Sequence, residues 1–551
     1  MAIVINGSGT LSGVSQGGLP DASVDNDTLA SGISASKLTG TLPAISGANL
    51  TNLPSTSTAD IRSAVQLQLT ATNNLGLGSN SVNSITTGDH NVGLGVNTGT
   101  AITSGSKNTA VGRDALQAST TSDGNSAFGA GSLYTNITGN SNTAVGQECM
   151  FSNTTGTENT AIGRYALDAN TTAISNTAVG AYSLSGTTTG SYNTGIGEAA
   201  LLSNTTGASN SALGKDALRA NTTGTQNVAV GSGALTATGA GTDGSYNVAV
   251  GVDALKANTQ GQFNVAIGRR ALYANTTADE NTSVGYLTLL ANTTGGGNTA
   301  LGISALQANT TAANNTAVGN RALAANTTGT INTAIGYQAL DANTTGTEMV
   351  AVGKGALTEN TTGNSTIGIG TRALENHTTG GNNIAVGTNA GRTDSPSGNL
   401  ITQSNRIVLG NNDITHFYCK ASLTATSDKR DKADVTASTI GLSFVNKLKP
   451  VTYKWDERSN YVTEEDMNTI DLNTIVPDGT HKKDAVEIGF LAQDVEETEK
   501  EYGHRVSDKT NLITDLTDDG KHYSLKYERL IPILTKAIQE LSAKVTALEN
   551  E

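Results

Sequence analysis

A glycine recurs every seventeen residues through most of this chain of 551, at Gly78, Gly95, Gly112, Gly129, Gly146, Gly163, Gly180, Gly197, Gly214 and Gly231. After a three-residue insertion it resumes at Gly251, Gly268, Gly285, Gly302, Gly319, Gly336, Gly353, Gly370 and Gly387. The surrounding unit reads Asn-Thr-Ala-Val-Gly-x-x-Ala-Leu-x-Ala-Asn-Thr-Thr-Gly-x-x, and a repeat of this fidelity means that each unit stacks on the next. Such a unit is one coil of a narrow solenoid. Thr-Ala-Val alternates as a strand, with small Ala on one face and branched Val or Ile on the other, and Ala-Leu supplies a second apolar element. Asn-Thr-Thr-Gly predicts a turn, because Asn and Gly tolerate left-handed backbone and Thr can bond the local main chain. At a rise of about 4.8 Å per coil, roughly nineteen coils make a rod on the order of 90 Å long. The insertion, around Gly239 to Gly244, must bulge from a turn without breaking the stack. One coil holds little apolar surface, so association of several chains is expected.

Composition agrees with an extended architecture. With 64 Gly, 7 Pro, 1 Trp and 4% aromatic residues, the chain lacks the bulky side chains that fill compact cores. A net charge of -14 disfavours nucleic acid and anionic membrane as partners, since binding phosphates needs clustered Lys and Arg. Cys149 and Cys419 are too far apart in sequence for a disulfide framework or a zinc site and read as buried or incidental thiols. The glycines follow the repeat and not a phosphate loop, so no cofactor or metal is expected. The start, Met1 to Gly9, lacks a basic region, and no apolar stretch is long enough to span a bilayer, so neither classical secretion nor membrane insertion is expected.

Four regions follow: 1–70, rich in Gly, Ser and Thr, with short extended segments in Lys37 to Pro54; 71–390, the repeat; 391–427, a distal connector; and 428–551, a charged globular domain holding Trp455. The chain closes on Ile531, Leu534, Ile538, Leu541, Val545 and Leu548, steps of three and four that place one apolar stripe on a helix. That stripe either packs on its own domain or forms a coiled coil between chains.

The junction reads Thr426-Ser427-Asp428-Lys429-Arg430-Asp431-Lys432. A neutral lysine can take the proton of a serine hydroxyl, but an exposed lysine is charged. Desolvation or the Arg430 cation would have to depress it, against Asp428 and Asp431, so activity is expected only after assembly. The bare triplet Ser507-Asp508-Lys509 lacks the following Arg and Lys. The segment from Asp428 to Glu551 resembles the self-cleaving intramolecular chaperone at the C-termini of phage tail spikes and fibres. The matches are Ser427-Asp428-x-Arg430-x-Lys432, Leu448-x-Pro450-x-x-Tyr453-x-Trp455, Ile488-Gly489-Phe490-Leu491-Ala492-Gln493-Asp494-Val495, and Tyr527-x-x-Leu530-Ile531-Pro532-x-Leu534-x-x-Ala537-Ile538-x-x-Leu541. That resemblance implies a homotrimer in which Ser427 and Lys432 form the dyad, Arg430 supports it, and the chain is cut between Ser427 and Asp428.

The repeat, in units such as Asn142 to Gly146, is similar to the head repeats of trimeric autotransporter adhesins. Lys37 to Leu53 is similar to stretches of tail fibres that attach to the virion. The expected fold is therefore mainly β: a β-solenoid or β-roll of 17-residue repeats, trimeric, with a C-terminal α+β chaperone ending in a coiled-coil-like helix. The expected protein is a phage tail fibre in the virion, made in the host cytoplasm, held to the tail, baseplate or an adaptor by its N-terminus and facing a host-surface receptor. Alternatives are a polysaccharide depolymerase, for which Asp114, Glu148, Asp168, Glu198 and Asp216 offer no pair singled out by spacing, and an adhesive or ice-binding rod displaying threonines.

Overall fold

The computed structural model describes residues 73–236, 244–420, 426–463, 466 and 470–551, together with the strands Val4–Ile5, Leu11–Ser12 and Leu67–Thr70. The chain divides into two units, 1–66 and 67–551. In the first, Val4–Ile5 and Leu11–Ser12 pair antiparallel, and the segment Lys37 to Leu53 lies outside the described residues.

The second unit begins with Leu67–Thr70 laid antiparallel against Asn74–Leu77. From there each coil contributes one short strand, paired in parallel and in register with the strand of the next coil. Mainly β and solenoidal is thus the fold. The ladder crosses the insertion unbroken, since Val228–Val230 pairs with Val248–Val250, while 237–243 lie outside the described residues. It also continues one coil past Gly387, where Ile384–Val386 pairs with Ile407–Leu409.

The coil from Asn315 to Ile331 shows why the unit has its sequence. Ala317 of the strand points inward with Ala322 and Leu323, all fully buried, while Thr316 and Val318 face outward. Gly319 has φ +135°, and a Cβ there would lie 2.4 Å from the carbonyl oxygen of Gly336 on the next coil. Only glycine meets both conditions, and this accounts for the seventeen-residue period.

The Asn-Thr-Thr-Gly tract is not the left-handed turn that local propensity predicts. Neither Asn326 nor Gly329 has positive φ; the left-handed positions of this coil are Gly319, Arg321, Leu323 and Ile331. Asn326 is buried and its amide donates to Asn309 Oδ1 one coil back (3.0 Å) and to the Gly329 carbonyl (2.9 Å). Asn315 forms a second ladder: its backbone N–H and its amide both donate to Asn298 Oδ1 (3.0 and 3.2 Å), and the amide also reaches Gly329 O (3.0 Å). The Thr327 hydroxyl donates to Thr344 O on the next coil (2.9 Å), not to its own turn. Buried amides are tolerated because each coil satisfies its neighbour's.

The tail region is small and mixed. Helix α1 (Leu442–Val445), helix α2 (Ala492–Glu501) and helix α3 (Leu530–Glu549) accompany two antiparallel pairs, Val451–Tyr453 with Glu487–Gly489 and Thr514–Leu516 with Tyr523–Leu525. Its core consists of Ile440, Phe444, Val495, Ile513, Leu530 and Ile533. The buried Glu499 carboxylate binds the strand carrying Thr514 through the backbone N–H of Leu512 (3.1 Å) and the hydroxyl of Thr514. Glu540 of α3 accepts the N–H of Leu442 (2.8 Å) and so caps α1.

Candidate functional site

Ser427 and Lys432 stand where the described tail begins, across a single 3-10 turn, Lys429–Asp431. Asp428 caps that turn by accepting the Arg430 N–H (2.9 Å), and the turn closes as Lys432 N–H donates to Lys429 O. The five-residue separation then folds back on itself, and Lys432 Nζ donates to Ser427 Oγ at 2.6 Å. Both side chains are exposed in the single chain. Arg430 is one of the two influences, with desolvation, that could act on the lysine. Its guanidinium instead forks onto the Asp428 carboxylate (3.1 and 2.6 Å) and holds that carboxyl below its ordinary range. Arg430 therefore orders the turn. At the second triplet, the Ser507 hydroxyl donates to Asp508 (2.8 Å).

The remaining motifs converge on one another. Val451 pairs with Gly489, Tyr453 lies edge-on to Trp455 with ring centroids 5.4 Å apart, and the Tyr527 hydroxyl accepts the Phe490 N–H (3.2 Å). A Cβ on Gly489 would come within 2.6 Å of that hydroxyl, so a side chain there would displace the tip of Tyr527. Part of this group lies on the surface, with Trp455 52% and Ile488 78% exposed, while Leu448 and Phe490 pack against the tail core.

Elsewhere the acidic residues of the repeat are dispersed. Glu198 pairs with Lys215, Asp216 with Arg219 and Asp114 with Arg113. Burial pushes the Asp168 carboxyl up, and its Oδ1 lacks a hydrogen-bond partner. Among the described residues no group of three or more His, Cys, Asp or Glu is arranged to hold a metal ion, and no helix is long and apolar enough to cross a membrane. Cys149 is buried and Cys419 is exposed. Glu499 escaped sequence reasoning because its partners lie outside its own helix, and the second asparagine ladder was visible as a recurring Asn but not as a buried bonding partner, since its acceptor sits on the neighbouring coil.

Residues 427–504 match the family of the chaperone of endosialidase, a stretch that opens on Ser427 and ends before the Tyr527 motif. No curated protein matches the chain. A parallel β-solenoid carrying such a module at its C-terminal end fits a protein of the tail-spike or tail-fibre type.

Proposed function

We propose that the chain is a subunit of a homotrimeric phage tail fibre whose tail module aligns three chains and is then cut off between Ser427 and Asp428. The observation that carries this reading is the 2.6 Å contact of Lys432 Nζ with Ser427 Oγ at the first residue of the family match. The overall step is hydrolysis: the C–N bond between Ser427 and Asp428 breaks, water adds, and Ser427 keeps a carboxylate while Asp428 gains an amine. Lys432 serves as the proton partner of the Ser427 hydroxyl, a role open only to its neutral form. Because both groups are exposed in one chain, the desolvation that favours neutral lysine has to come from neighbouring chains.

Assembly is supported by α3. It packs on its own domain through Leu530, Ile533 and Ala537, leaving Ile531, Leu534, Ile538, Leu541, Val545 and Leu548 exposed. Of the two readings of that stripe, association between chains is the one with an empty face to fill. The rod would reach outward to a host-surface receptor and attach to the virion at its other end.

Intact-mass measurement of the expressed chain beside Ser427→Ala and Lys432→Ala tests the reading. It expects two fragments meeting at Ser427-Asp428 for the wild type and whole chains for both variants; a folded wild type that never splits would overturn the cleavage.

A further inference from the structure

The last coil breaks the period: Gly387 and Gly410 are twenty-three residues apart against the usual seventeen. Part of the lengthened stretch meets the tail module. The hairpin of Thr514–Leu516 and Tyr523–Leu525 carries Asp519 at its tip, and the two oxygens of that carboxylate take different partners. Oδ1 organises the hairpin itself, accepting the Thr517 hydroxyl (2.5 Å) and the Lys521 N–H (3.1 Å). Oδ2 accepts the backbone N–H of Asn399 in the last coil (3.0 Å).

The shaft is shaped for this approach. Gly398 has φ +64°, and a Cβ there would lie 2.7 Å from Asp519 Oδ2, so conformation and clearance both call for glycine. Beside it Arg406, next to the final strand, pairs with Asp518 (3.3 Å). The tip is braced from its own side, since Arg458 donates to Lys521 O and to Leu472 O (3.1 Å). Burial would raise the Asp519 pKa, yet the hydrogen bonds from Thr517, Asn399 and Lys521, with His522 nearby, leave it below the ordinary value.

We infer that the Asp518-Asp519 tip is the seat by which the tail module grips the last coil of the shaft, without using the covalent joint at Ser427. The partner it fits is a loop of this same chain that offers a backbone N–H beside a glycine, flanked by one arginine. The six extra residues of the last coil are then a docking loop, and the module stays on the rod end after the main chain is cut. The role rests on the chaperone reading, but the contact does not depend on cleavage.

Hydrogen exchange on the full-length Ser427→Ala chain, which keeps the joint intact, separates the two claims. Asp519→Ala should speed exchange of the Asn399 amide by about tenfold or more while amides of the coil Asn315 to Ile331 keep their rates. If this variant does not fold, Arg406→Glu should speed exchange in 398–400 and adding Asp518→Arg should restore it. Unchanged protection of Asn399 in Asp519→Ala, or no restoration by the paired reversal, would overturn the inference.

Discussion

Leucine is a poor residue for left-handed backbone, at a cost of about 1–2 kcal/mol, yet Leu323 sits at φ +53° and its counterparts in other coils do the same. Burying a leucine side chain contributes about 1.5–3 kcal/mol, so burial wins, but only because the side chain is fully enclosed. Two glycines of the same coil give a sharper test. Gly319→Ala imposes strain at φ +135° and should cost about 1–3 kcal/mol in chemical denaturation. Gly329 is also tightly packed, but its φ is ordinary and Ala312 holds the same place one coil earlier, so Gly329→Ala should cost clearly less. Equal losses would refute the division between conformation and clearance. Cys149 donates to Ala161 O, and burial pushes its thiol up to about 12. In the folded chain, alkylation should label Cys419 alone, with Cys149 reacting only after denaturation; mass spectrometry would detect the difference.

Among the elements, the asparagine ladder ends on a histidine. His377 is fully buried where the regular unit has asparagine, with Asn360 Nδ2 3.0 Å from its Nδ1 and Gln403 O 3.3 Å from Nε2. Burial holds it neutral, below its ordinary value of 6.5. As pH falls below 6.5 the unfolded chain takes up a proton that the folded one refuses, so this coil should lose stability on acidification and keep it above that value. His377→Asn should abolish the loss, as followed by limited proteolysis from pH 7 to 5; an unchanged pH dependence would rule out this residue as its source. On α3, Ile538→Asp should leave the thermal melt of a single chain nearly unaltered, within about 0.5 kcal/mol, while abolishing association in light scattering. Ile533→Asp, by contrast, should unfold the tail. The coil was legible in outline because Gly and Ala recur wherever two coils approach most closely. The asparagines of the Asn-Thr-Thr-Gly tract were misread as left-handed, and the left-handed backbone at the buried Leu323 was not foreseen, because both conformations are set by the neighbouring coil, which a single unit does not contain. The stripe on α3 was legible as a pattern, but the face that packs internally, Leu530, Ile533 and Ala537, lies beside it.

At the scale of the molecule, the rod ends in a tail with a small core, many of whose described aromatic and aliphatic side chains, Trp455, Ile488 and Ile531 among them, face outward. The trimer proposed above would bury those outward faces. Along the rod, Phe128, Val145, Ile162, Ile196 and Ile267 each leave about two fifths of their surface open at the same place in the coil, and Leu213 about half, a ridge that parallel rods could share. Ser427 and Lys432 were singled out by the resemblance of the junction and not by spacing, and one tight turn brings their side chains together; the Asp519 contact has no such signal, because it joins positions 120 residues apart. The measurement that bears most directly on the account is the solution mass of the full-length Ser427→Ala chain by light scattering. Three times 55.9 kDa is the predicted result, and a stable, folded particle of 55.9 kDa would contradict it.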